Sequence, residues 1–126
     1  MNPGRRAPLR YVALGDSYTI GTAVAPTECW PTRLVETLAR GADGADGIAP
    51  LEPVANLGVS GHTSADLIRD ELPALAALQP GFATNLIGVN DLVTGLAARV
   101  YEAYSRATFR GLPDRLPAAR TARAAT

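Results

Sequence analysis

Apolar residues recur along the chain in two rhythms. "LRYVAL" (9–14), "LEPVANL" (51–57) and "FATNLI" (82–87) are short, mostly apolar runs, each followed by glycine. That is the pattern of strands buried in a sheet. Pro53, inside the second run, suits an edge strand, because proline gives no N–H to a ladder. Between the runs the spacing changes to three and four. Trp30, Leu34 or Val35, and Leu38 predict a helix with Pro31 in its first turn and Gly41 as its stop. Leu67, Ile68 and Leu72 predict a second, capped by Ser64, interrupted at Pro73 and ended by Pro80-Gly81. Val100, Tyr104 and Ala107 or Phe109 mark a weaker helix over 98–111. "ADGADG" (42–47) predicts a flexible loop. The expected organisation is one domain over 9–112, with a tail at 1–8 and a disordered tail at 113–126.

The order β-α-β-α-β-α predicts a parallel sheet with right-handed crossovers. All three strand-to-helix turns then lie at the carboxyl edge of the sheet, where such folds place ligands. Those turns are Gly15-Asp16-Ser17, Asn56 to Ser64, and Gly88-Val89-Asn90-Asp91. Topology alone therefore gathers Ser17, Gly61 and Asn90.

Composition narrows the function. A chain of 126 residues makes one domain. With 47% hydrophobic and 19% charged residues, it belongs with globular rather than disordered chains. A net charge of +0 gives no whole-chain case for nucleic acid or an anionic membrane surface. The charge is uneven: residues 1–98 carry six Arg against ten acids, and 99–126 carry six Arg against two. No run approaches the length of a membrane span or a signal peptide, so a cytoplasmic protein is expected. One Cys and one His exclude an internal disulfide and a cysteine-cluster metal site. There is no phosphate-loop Gly-Lys-Ser/Thr, no dinucleotide Gly-x-Gly-x-x-Gly and no Gly-x-Ser-x-Gly elbow. No cofactor or metal is expected.

The three turns suit acyl transfer. A Ser opening a helix offers a hydroxyl and an unpaired backbone N–H. A second N–H from a glycine turn and an Asn side-chain amide would make three donors around one point, an oxyanion hole. Each residue also has a plainer role: Ser17 and Asn90 as helix caps, Gly61 as a turn glycine, with Gly58 competing for the donor position. Asp16 is expected to hold its turn by side-chain-to-backbone bonds. Asp91 is expected to cap the following helix and leave Asn90 free. Asn56 and Cys29 are expected to be structural.

"GDSYTIG", "NLGVSGHTS" and "GVND" resemble, in order, the first three sequence blocks of the SGNH-type hydrolases, also called the GDSL lipase/esterase family. "CWP" before the first helix is also similar, and the resemblance covers about residues 10–105. It implies a flavodoxin-like three-layer α/β/α fold and metal-free hydrolysis of a small-molecule ester. Ser17 would be the nucleophile, Gly61 the backbone oxyanion donor and Asn90 the side-chain donor. It also implies a fourth block, Asp-x-x-His, carrying the triad's acid and base. No Asp-x-x-His occurs here, and after Asp91 the only aspartate is Asp114. The single histidine, His62, adjoins the donor turn, whereas a base must reach the hydroxyl from the opposite side, so His62 is expected to be a solvent-facing loop residue. The chain is thus expected to be an N-terminal portion with about three strands, weak in catalysis. Its third strand would be an open, self-associating edge. The alternatives are a non-catalytic ligand-binding remnant, or half of a split enzyme completed by a partner chain.

Overall fold

The computed structural model describes residues 7–42, 49–115 and 120–123. Most of the predicted 42–47 loop and 1–8 tail lies outside the described residues. Strands β1 (Leu9–Gly15), β2 (Leu51–Asn56), β3 (Phe82–Leu86) and β4 (Arg120–Arg123) form one parallel sheet in the order β2-β1-β3-β4. β1 pairs with both β2 and β3, and its composition fits that place. Successive side chains point to opposite faces of a strand. Val12 and Leu14 join one core with Leu67, Leu72, Leu75, Ala83, Ile87 and Leu112. Tyr11 and Ala13 join a second with Leu51, against which Leu34, Val35 and Leu38 pack. Both faces of β1 are therefore covered, as in the three-layer α/β arrangement predicted for the chain.

β2 is an outer strand, as Pro53 requires. Tyr11 pairs with Pro53 and Val12 with Ala55, so the ladder skips Val54 immediately after the residue that has no N–H. Helix α1 (Ser17–Ile20) is a single turn, and α2 (Trp30–Ala42) runs one residue past Gly41, which is not its stop.

The second predicted helix is continuous through Pro73 but changes winding. It opens as α3 (Ser64–Asp66), widens into a π turn (Leu67–Glu71), tightens into a 3-10 turn (Leu72–Ala74) and ends as α4 (Leu75–Leu78). Proline lacks an N–H and its ring crowds the carbonyl four residues back. The run accommodates this by bonding Leu72 N–H to Leu67 O, five residues back, rather than by breaking.

α5 (Val89–Val93) and α6 (Ala98–Arg115) follow β3. Residues 116–119 and 124–126 of the predicted tail lie outside the described residues. α6 continues four residues beyond Gly111, and β4 pairs parallel with β3 from Phe82↔Arg120 to Asn85↔Arg123. The edge of β3 is thus paired rather than open. No apolar run announced β4, because a ladder is made by backbone groups and asks little of an outer strand's side chains.

Candidate active site

Ser17 stands where β1 gives way to α1. Asp16 is the cap of that turn: its buried Oδ1 accepts the Tyr18 N–H at 3.0 Å, as the sequence predicts. Ser17 is half-buried, and among the described residues no hydrogen bond engages its Oγ.

The second turn is tied to the first. Val59 N–H donates to Gly15 O at 3.3 Å, and the Thr22 and Ser60 hydroxyls lie 2.6 Å apart. Asn56 is structural: its Nδ2 donates to Thr19 O at 2.8 Å and its Oδ1 accepts Gly58 N–H at 3.0 Å. The two competing glycines differ. A Cβ on Gly58 would come within 2.9 Å of both Asp16 O and Ile20 N, so Gly58 lets the two turns touch. Gly61 has φ +86 and nothing within 4 Å of where a Cβ would stand. It holds a left-handed conformation beside open space.

The third turn reaches the second. Asn90 Nδ2 donates to His62 O at 2.9 Å, next to Gly61. An amide nitrogen carries two hydrogens, so a second donor remains. Two sequence expectations fail here. Thr63, not Ser64, caps α3, in a capping box with Asp66. Asp91 does not cap α5; its buried carboxylate accepts the Ser64 N–H at 2.9 Å and the Ser64 hydroxyl at 2.8 Å. A cavity of about 450 Å³, lined mainly by apolar atoms of Val89, Leu92, Leu96 and Tyr101, opens between α5 and the start of α6.

His62 is not the expected solvent-facing residue. Its side chain is 14% exposed, with Nδ1 2.7 Å from Glu71 Oε2 and Nε2 3.8 Å from Asp70 Oδ2. Glu71 is 2% exposed, and its Oε1 accepts the Gly15 N–H at 2.8 Å. Burial pushes the Glu71 carboxyl above its ordinary range, opposed by the His62 and Gly15 hydrogen bonds. Sequence reasoning missed Glu71. The signal was there: Leu67, Glu71 and Leu75 are four apart, so Glu71 interrupts an apolar helix stripe.

The profile of the GDSL-like lipase/acylhydrolase family matches residues 13–125. The chain belongs to the GDSL-like lipase/acylhydrolase family. Solved structures agree on the GDSL fold. A psychrotrophic esterase, EstA, from Pseudoalteromonas sp. is 21% identical with a TM-score of 0.71, over 90% of this chain and 57% of that one. The Clostridium thermocellum family 3 carbohydrate esterase is 16% identical with a TM-score of 0.77, over 94% and 61%. A protein described as a putative lipolytic protein of the G-D-S-L family, from Desulfitobacterium hafniense DCB-2, is 19% identical with a TM-score of 0.70, over 90% and 57%. This GDSL chain thus spans less than two thirds of the length of those structures. Among curated proteins no match was found. Among the described residues no helix is long and apolar enough to cross a membrane.

Proposed function

We propose that the chain carries the nucleophile and oxyanion donors of a serine ester hydrolase: Ser17 attacks the acyl carbon, and Gly61 N–H and the Asn90 amide receive the oxyanion. The observation that carries this reading is the Asn90 bond to His62 O. It draws the third turn onto the turn that holds Gly61, leaving a second Asn90 N–H for a ligand. The open space over Gly61 gives a substrate its approach. The half-buried Ser17 at the start of α1 supplies the hydroxyl and a further backbone N–H.

The sequence contains no Asp-x-x-His, and the ring nitrogens of its one histidine face Glu71 and Asp70. In these 126 residues taken alone, Ser17 would act without the usual base. Loss of the base from a serine triad costs about 10⁶ in kcat, so Ser17 would react mainly with esters whose leaving group needs no proton. The expected activity is slow and confined to activated esters. Hydrolysis of p-nitrophenyl acetate tests this: Ser17→Ala should remove the protein-dependent rate, and Asn90→Ala should lower it about a hundredfold. A rate unchanged in Ser17→Ala refutes the assignment.

A further inference from the structure

One buried ionisable group has no part in the chemistry above. Glu71 lies on the core side of its helix, where an isolated carboxylate is costly unless its oxygens are bonded. Both are. Oε1 takes the Gly15 N–H, two residues before Ser17, and Oε2 meets His62 Nδ1. His62 O then receives the Asn90 amide. The hydrogen bonds thus run from the end of β1, through one carboxylate and one imidazole residue, to Asn90. They touch all three turns.

Each link has a physical consequence. An Nδ1–H donated to a carboxylate fixes the tautomer and plane of the ring. A fixed ring limits how the His62 backbone can turn, and Gly61 beside it supplies little restraint of its own. Asn90 Nδ2 is set by the His62 carbonyl, so the aim of its second N–H depends on that backbone. We propose that Glu71 is a positioning residue: through the His62 ring it fixes the Gly61–His62 turn and thereby the direction of the Asn90 amide. This rests on the reading of Asn90 as an oxyanion donor.

A double-mutant cycle on the full chain separates this role from simple support of β1. Glu71→Gln keeps an acceptor for Gly15 N–H but presents an amide to the ring. His62→Phe removes the ring nitrogens and leaves the backbone carbonyl. Two readouts are needed. The first is the Asn90 carboxamide resonance in a ¹⁵N spectrum, assigned by its loss in Asn90→Asp. The second is the p-nitrophenyl acetate rate above the Ser17→Ala background. Both single variants should shift the Asn90 signals and lower the rate about ten- to a hundredfold with KM unchanged. The double variant should be no worse than either, because the two residues act in series. In the wild-type chain the sole histidine should show the Nδ1–H tautomer, readable without ambiguity.

Asn90 signals unmoved in His62→Phe, or effects that simply add, would overturn the proposal. Should Glu71→Gln fail to fold, His62→Phe and the wild-type tautomer still decide it. If Ser17→Ala leaves the rate unchanged while the Asn90 signals move as expected, the hydrolase reading fails and the positioning link stands.

Discussion

Glu71 shows how one side chain is governed by its surroundings. Its carboxyl binds a proton more readily in the folded chain than the ordinary glutamate value of 4.5 implies, because burial outweighs two hydrogen bonds. The folded state therefore holds more protons than the unfolded one above that value. The stability Glu71 contributes is full below about pH 4.5 and falls as pH rises through its raised value. Asp66, lowered chiefly by the Thr63 backbone bond, and Asp70, lowered chiefly by Arg69, act in the opposite sense. They are common to wild type and Glu71→Gln and largely cancel in the difference. Urea midpoints between pH 4 and 7 should show wild type losing ground to Glu71→Gln as pH rises. A difference that stays flat or grows would contradict this.

At the scale of elements, the turns are joined by buried polar pairs. Asp91 at α5 binds both the N–H and the hydroxyl of Ser64 at the first turn of α3. Asp91→Ala would leave two buried Ser64 groups without a partner, so a loss of about 2 to 3 kcal/mol is expected in urea unfolding. A loss below half a kcal/mol would mean that water replaces the carboxylate without cost. The sequence revealed which elements exist better than how they join. β1 was legible because four consecutive apolar residues suit a strand covered on both faces, and α2 because Leu34, Val35 and Leu38 keep a helical spacing. The cap was misplaced by one residue because Thr63 and Ser64 are both good caps, and only the Asp91 contact, 27 residues away, separates them. The Gly15–Glu71 bond spans 56 residues and leaves no local trace. The passage through Pro73 was illegible for another reason: a π turn is a response to proline, not a sequence pattern.

Across the whole molecule, the sheet places three polar turns at the carboxyl ends of β1, β2 and β3, and this was the most readable feature. The placement of Ser17, Gly61 and Asn90 in those turns follows from strand order. β4 did not follow, since its four residues carry no apolar rhythm. The central claim is that Ser17 is a nucleophile served by donors from the other two turns. It is tested most directly by covalent capture, which needs no turnover. The chain would be treated with a p-nitrophenyl alkylphosphonate and the modified residue located by peptide mass spectrometry. The account predicts one adduct, on Ser17, absent in Ser17→Ala and formed about a hundredfold more slowly in Asn90→Ala. An adduct elsewhere, no adduct, or a rate indifferent to Asn90 would contradict it.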